Sequence, residues 1–184
     1  DTEDAGLVQF AGDVVATTLT TTANGYNVQF DEDVTVTNAV AFANTGTLTL
    51  GNDSTDVATF TGGVDTTGVT GLVTLTGTVR TDGQQAAFGA VTLGNDVTLL
   101  TTNNAAAGAA LNVGAVTGGN NSLTLDSGTG GAITVSGSVA GVTTLDVTNS
   151  NGASFQGVSA TTIDISDTED AGLVQFAGDV VATT

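Results

Sequence analysis

The sequence contains no cysteine, histidine, proline, methionine or tryptophan, and Arg80 is its one basic residue. Without histidine, cysteine or lysine, the chain lacks the side chains that most often serve as general bases, covalent nucleophiles and zinc ligands. We therefore expect a protein that is not an enzyme and requires no cofactor. Nucleic-acid affinity depends on basic residues that neutralise phosphates, so a net charge of −18 also argues against nucleic-acid binding.

Long apolar runs are absent as well. No apolar run approaches the ~20 residues of a membrane-spanning helix, so we expect no membrane insertion. Hydrophobic residues nevertheless make up 40% of the chain while aromatic residues make up 4%, which predicts a folded protein with a mainly aliphatic core. Abundant threonine and 26 glycines favour many short strands joined by tight turns.

A long repeat joins the two ends of the sequence. The segment DTEDAGLVQFAGDVVATT at residues 1–18 recurs unchanged at residues 167–184. Because an identity of this length does not arise by chance, we interpret residues 1–166 as one tandem repeat unit. Residues 167–184 are then the start of the next identical unit, and the two are expected to form a continuous solenoid within a large repeat array.

A shorter repeat runs inside this unit. Residues 8–14 match residues 28–34 at an offset of 20, and LTLGND at 48–53 matches VTLGND at 91–96 at an offset of 43, about two periods. LTGTV at 75–79 matches VSGSV at 135–139 at an offset of 60, which suggests three periods. A period of about 20 residues, with Gly, Asn and Asp turns between strands, is typical of a solenoid. The sequence therefore predicts an all-β parallel β-helix with about 20 residues per coil.

Alternation within the strands predicts which side chains face the core. In stretches such as Leu48-Thr49-Leu50, the apolar residues are expected to point into the tube and threonine to point outward. Residues one period apart should stack along the axis. Phe10 is therefore expected on Phe30, with Leu50 extending the column, and Phe155 precedes Phe176 by a similar interval of 21.

Two stretches carry a family resemblance. The run GGNNSLTLDSGTGGAITVSGSV at 118–139 resembles the repeats of filamentous-haemagglutinin-like giant bacterial surface exoproteins, and FGAVTLGNDVTL at 88–99 is similar to another segment of those repeats. The resemblance implies a right-handed parallel β-helix that is secreted to the bacterial cell surface. It further implies use as an adhesin stalk, a surface fibre or a matrix component.

Acidic residues are the main candidates for a binding site. Asp13, Asp33 and Asp53 recur at offsets of 20 and are predicted to form a column at one corner of the rod, with Asp31 and Glu32 beside it. Like charges one coil apart are destabilising unless cations bridge them, and carboxylates are ligands that Ca²⁺ prefers. These five residues are therefore candidate calcium ligands, as are the acidic clusters at 1–4 and 167–170. The alternative is that they are solvated turn residues that keep the rods soluble.

Arg80 and the threonines suggest further functions. As the sole cation of the unit, Arg80 is a candidate interface residue that pairs with an acidic corner of a neighbouring rod; the alternative is an exposed arginine in a turn beside Asp82. A carboxylate pair acting as a glycosidase is disfavoured because no aromatic platform accompanies the acids. Ice binding by Thr-x-Thr pairs is disfavoured because the pairs do not recur in every coil. The pairs concerned are Thr35/Thr37, Thr47/Thr49 and Thr74/Thr76.

These observations predict a structural, extracellular repeat protein that forms a rod or filament on a bacterial cell surface. Its expected partner is itself, through head-to-tail continuation and lateral bundling. The main alternative is an adhesin stalk or binding module that recognises a surface glycan or a host or neighbouring cell.

Overall fold

The computed structural model describes residues 6–166 and 172–183, and every regular element within these residues is a β-strand. The strands are parallel and stack as a β-solenoid of about eight turns, with roughly 21 residues per turn. The predicted all-β parallel solenoid is therefore confirmed, and its mean period is slightly longer than predicted.

From the second turn onward each turn passes through three strand segments, whereas the first turn has two. Equivalent segments of successive turns pair to form three parallel sheets, here named faces A, B and C in chain order. Face A contains β1 (Leu7–Phe10), β3 (Asn27–Phe30), β6 (Leu48–Leu50), the first parts of β9 (Val73–Thr81) and β11 (Val91–Leu100), β13 (Val116–Thr117), the middle of β15 (Ile133–Ser150) and of β16 (Ala153–Ile165), and β18 (Val180–Ala182).

The other two faces are built in the same way. Face B contains β2 (Val14–Ala16), β4 (Val34–Val36), β7 (Val57–Phe60), the second parts of β9 and β11, β14 (Leu123–Gly128), and the last parts of β15 and β16. Face C contains β5 (Val40–Ala41), β8 (Val64–Asp65), β10 (Ala86–Phe88), β12 (Leu111–Val113), the first parts of β15 and β16, and β17 (Val174–Phe176).

The core is a set of apolar columns inside the tube. Strand residues alternate as predicted: Leu48 and Leu50 are buried and Thr49 between them points outward. Because the register is kept from turn to turn, Phe30, Leu50 and Leu75 lie on one another along face A. Burial of such side chains stabilises the fold by roughly 25 cal/mol per Å² of apolar area.

The predicted aromatic stacks are confirmed. The rings of Phe10 and Phe30 lie 4.8 Å apart and nearly parallel, and those of Phe155 and Phe176 lie 5.3 Å apart. Phe42 packs edge-on against Phe30 and against Phe60, with ring centres 6.5 and 6.0 Å apart. Offset-stacked and edge-to-face pairs are the favoured arrangements of aromatic rings, so these contacts add to the area term.

Turn length varies because loops are inserted at particular corners. Loop 51–56 follows β6 and lengthens the turn from Leu48 to Val73 on face A, whereas the next turn, from Val73 to Val91, carries no such loop. Loop 101–110 follows β11 and lengthens the turn after that in the same way. The offset of 43 between Leu48 and Val91 therefore does correspond to two turns.

The offset of 60 does not correspond to three turns. Leu75 ends a strand segment on face A, where it pairs with Leu93, but Val135 ends one on face C, where it pairs with Phe155. The motif at 75–79 thus forms a corner between faces A and B, while its match at 135–139 forms a corner between faces C and A. A strand, a glycine and a second strand satisfy the local needs of either corner, so sequence similarity alone does not fix the face.

Candidate functional site

The predicted acidic column lies at the corner between faces A and B. Asp13 and Asp33 precede Val14 and Val34, which are paired in β2 and β4, and the amide of Val14 donates to the carbonyl oxygen of Asp33 over 2.8 Å. Asp53 belongs to the longer loop 51–56 of the third turn. The structure therefore stacks the first two carboxylate-bearing residues, while the inserted loop separates Asp53 from that register.

Hydrogen bonds occupy several of these carboxylates. Asp31 accepts from the side-chain amides of Gln9 and Gln29, each over 2.6 Å, and so joins the first two turns. Asp33 Oδ1 accepts from the backbone amide of Val57 in the third turn over 2.8 Å. Both carboxylates therefore link neighbouring turns of the solenoid through hydrogen bonds.

Asp56 is an acidic residue that the sequence analysis did not select. Its side chain is 5% exposed, and Oδ2 accepts from the amides of Asn52 and Asp53 over 2.7 and 2.9 Å, which closes loop 51–56. Asp53 Oδ1 in turn accepts from the hydroxyl and amide of Thr55, and these two bonds lower the pKa of Asp53. The Asp-x-x-Asp spacing within the inserted loop was the available signal for this arrangement.

Glu32 carries the electrostatic cost of the acidic corner. Its pKa is raised by partial desolvation and then by the negative charges of Asp56, Asp13, Asp53 and Asp33. Within residues 6–166 and 172–183, no three acidic side chains are grouped closely enough to hold a metal ion. The acidic clusters at 1–4 and 167–170 lie outside the described residues, and calcium binding by Asp13, Asp31, Glu32, Asp33 and Asp53 stays a prediction.

Calcium binding at this corner can be measured as thermal stabilisation. If Ca²⁺ relieves the repulsion on Glu32, a free concentration of about ten times Kd stabilises the fold by ~1.4 kcal/mol. The measurement is a melting curve in CaCl₂, compared with MgCl₂ and with NaCl at matched ionic strength, for the native chain and for Asp33→Asn. Equal shifts in all three salts would show screening alone and would contradict a calcium site.

A second pair of stacked acids lies on face B. Asp146 of β15 pairs with Asp164 of β16, so the two side chains point outward one turn apart. Desolvation and then the charge of Asp164 raise the pKa of Asp146, and its Oδ1 atom is buried without a hydrogen-bond partner. A raised carboxyl pKa means that the folded state disfavours the charged form. Asp146 therefore opposes folding at neutral pH, and stability falls as the pH rises through its folded-state pKa.

Replacing Asp146 with asparagine is expected to stabilise the protein near neutral pH. Relief of one like-charge pair between adjacent strands is worth about 0.2–1 kcal/mol. The free energy of unfolding of Asp146→Asn should exceed that of the native chain at about pH 7, and the difference should shrink as the pH falls through the raised pKa of Asp146 and its carboxyl becomes protonated. Asp164→Asn is the matched control: it removes the repulsion but leaves Asp146 desolvated, so its gain should be smaller. A pH-independent difference would contradict this assignment.

Arg80 lies in strand β9 on the outer surface of face B. It is half-buried, and its Nε atom donates to the hydroxyl oxygen of Thr59 one turn earlier over 2.9 Å. The residue is therefore part of a strand rather than the turn that the alternative interpretation placed beside Asp82. Its predicted contact with a neighbouring rod stays a prediction.

Aromatic and threonine side chains were weighed for other functions. Tyr26 is 9% exposed and its hydroxyl accepts from the amide of Thr22, so its ring does not form a surface on which a sugar stacks. The threonine pairs do not share one surface: Thr35 lies on face B, whereas Thr49 and Thr74 stack on face A.

The two ends of the solenoid differ from its middle. Inward-pointing side chains of the first and last turns are only partly buried, whereas Phe30 of the second turn is 0% exposed. The outer edges of these turns also present backbone groups that strands use for pairing. We call these two surfaces the open ends. Their partly buried apolar residues are Val8, Phe10, Val14, Leu19, Ile163, Ile165, Val174 and Phe176.

Comparison of this chain with protein-family models, with curated proteins and with solved structures found no match in any of the three. The described residues contain no helix long and apolar enough to span a membrane. The basis for a functional proposal is therefore the geometry of the solenoid, above all its open ends.

Proposed function

We propose that this chain is a structural, non-catalytic repeat of an extracellular rod or filament on a bacterial cell surface, in which identical units join head to tail. The main support is that the duplicated segment occupies both open ends and pairs through opposite edges there. In the first copy, β1 and β2 pair with β3 and β4 of the following turn. In the second copy, β17 and β18 pair with β16 of the preceding turn.

In the proposed array, the two copies of the segment would correspond to the two sides of a junction between units. Phe10 stacks on Phe30 of the following turn, and Phe176, its equivalent in the second copy, stacks on Phe155 of the preceding turn. Inside an array, each copy of the segment would pair through both strand edges, and its phenylalanine ring would stack on both sides. No strand edge would then be exposed between units. Since exposed edges promote unspecific pairing, continuation protects the protein from aggregation.

Glycine at the corner of the segment supports the same proposal. A Cβ atom on Gly178 would collide with the carbonyl oxygen of Gln156 in the preceding turn, so only glycine fits there. A Cβ atom on Gly12, the same position in the first copy, would meet nothing within 4 Å. Sterics within this chain therefore do not require glycine at residue 12. They would require it if a preceding unit were stacked against the first turn, as the preceding turn is stacked against Gly178.

The rod function is tested by electron microscopy of purified arrays of one, two and three units. One unit of nearly eight turns, at the ~4.8 Å spacing between strands, should lengthen the rod by about 37 Å. Straight rods whose length rises by that step are expected, with an axial reflection at ~4.8 Å. Separate globules joined by linkers would overturn the proposal. Immunogold labelling of intact cells tests the surface location, and an added chelator tests whether calcium bundles the rods.

Alanine at the two equivalent glycines is expected to give opposite results. Gly178→Ala should displace the last turn, so amide protection against hydrogen exchange in β17 should be lost while the central turns keep theirs. Gly12→Ala should change the free energy of unfolding by less than about 0.5 kcal/mol. In a two-unit array, alanine at residue 12 of the second unit should behave like Gly178→Ala. If Gly178→Ala and Gly12→Ala leave the amides of β17 equally protected, the proposed steric role of this glycine at a junction between units is contradicted.

A further inference from the structure

The two identical copies of the duplicated segment lie on different faces of the solenoid. Val8 belongs to face A, where it pairs with Val28. Val174, its equivalent in the second copy, belongs to face C, where it pairs with Ala153. The residue that lies above Val8 on face A in the last turn is Val180, which is the equivalent of Val14.

The offset follows from the pairing of strands through the whole chain. On face A, an unbroken series of paired residues leads from Val8 to Val180 in eight turns. Val174 lies on face C, and the chain turns one corner after it before it reaches Val180 on face A. The repeat unit, residues 1–166, is therefore seven and two-thirds turns long, one face short of a whole number.

The corners accept such an offset because their local structure does not depend on the face. The sequence Ala-Gly-Asp turns the chain from face A to face B at residues 11–13 and from face C to face A at residues 177–179, with a bend at the glycine in both places. The motifs at 75–79 and 135–139 likewise form different corners. One segment can thus start a unit on any of the three faces.

We propose that each unit docks its first turn on the last turn of an identical unit with a rotation of one face, so that the array presents each residue of the repeat in three directions in succession. The proposal rests on the proposed head-to-tail rod. The partner at each open end is a second copy of this unit, and the contact is made by paired strands and stacked phenylalanine rings. Equivalent residues return to the same face at every third unit.

The rotation determines what a lateral partner encounters. The acidic corner of Asp13, Asp31, Glu32, Asp33 and Asp53 lies between faces A and B in the first unit and between C and A in the second. Neighbouring units therefore do not align their strongest negative charges along one side. A binding partner specific for one surface would find it again on the same side about 110 Å further along, at three units of ~37 Å. Lateral contacts of such a rod extend in three directions rather than in one plane.

Spin-label distances in the present chain test the offset. The native sequence has no cysteine, so labels attach only at introduced positions. We compare Gln9→Cys/Gln175→Cys, which are equivalent residues of the repeat, with Gln9→Cys/Val181→Cys, which lie on the same face eight turns apart; all three native residues are exposed. The distance between the two labels should be several ångströms longer in the first pair than in the second. The axial separation is smaller in the first pair, but a change of face moves a label sideways by on the order of 20 Å. A label distance in the first pair that is equal to or shorter than that in the second pair would overturn the offset.

The rotation between units is then measured in a two-unit array carrying Thr134→Cys in each unit, an exposed outward position on face C. Straight rods with a label distance well above ~37 Å support the proposal. Straight rods with a distance equal to that axial rise overturn the rotation and leave the rod function standing. Arrays that do not form rods at all overturn both.

Discussion

Replacing Phe30 with alanine is expected to lower the free energy of unfolding by about 3–5 kcal/mol. The side chain is 0% exposed, stacks on the ring of Phe10, packs against the edge of Phe42 and lies below Leu50 in the next turn. Alanine would leave a cavity in a narrow tube whose neighbouring strands are fixed by backbone pairing on both sides. The lining residues therefore have little freedom to close it.

Phe30→Leu is the matched control for this prediction. Leucine already occupies the next two positions of the same column, as Leu50 and Leu75. The free energy of unfolding should therefore fall much less in Phe30→Leu than in Phe30→Ala, because leucine keeps most of the buried volume. Urea unfolding followed by circular dichroism measures both variants. A similar loss for leucine and alanine would show that the aromatic stack, rather than the filled volume, stabilises this turn.

Replacing Gly77 with alanine is expected to be of comparable severity, about 3 kcal/mol or more. Gly77 has a φ of +71°, and a Cβ atom there would collide with the backbone carbonyl oxygen of Asp56 and approach that of Asp53. The substitution thus combines backbone strain with a collision against loop 51–56. This loop cannot move away without breaking the hydrogen bond of 2.9 Å that the carbonyl oxygen of Asp56 accepts from the amide of Thr78.

Gly141→Ala separates these two causes. Gly141 has nearly the same φ, +69°, but the nearest atom to its added Cβ would be the amide nitrogen of Gly119 at 3.9 Å. The free energy of unfolding of Gly141→Ala should therefore fall by only about 1–2 kcal/mol, which is the cost of a left-handed backbone conformation for alanine. Thermal unfolding of both variants gives the comparison. If Gly141→Ala is as destabilising as Gly77→Ala, the collision with loop 51–56 contributes nothing.

The sequence predicted the solenoid because stacking imposes a visible rule. Residues such as Phe10 and Phe30 must have similar shape and spacing when one lies on the other, so the period and the inward positions can be read directly. The face on which a motif lies could not be read, because the corners at 75–79 and 135–139 need the same local chemistry. Loop insertions then interrupt the regular period and leave the position of a later motif undetermined.

The candidate site was predicted less completely for a related reason. Residues selected by offset, such as Asp13 and Asp33, do lie at one corner, since no insertion separates them. Asp53 is displaced by its loop. The buried Asp56 within that loop was marked in the sequence only by the Asp-x-x-Asp spacing, and the two amide hydrogen bonds that it accepts show its role. The stacked acids Asp146 and Asp164 are closer in sequence than the predicted period, so a search at a fixed offset does not pair them.

In the proposed array, the fractional number of turns per repeat unit would also affect how such a protein changes length over generations. Identical repeats are prone to unequal recombination, which adds or removes whole units. Gain or loss of one unit would rotate everything beyond it by a third of a turn, whereas a change of three units would restore the original orientation. A protein that must aim a terminal domain in one direction is therefore expected to vary in steps of three units, while one that serves only as a spacer is free to vary by any number.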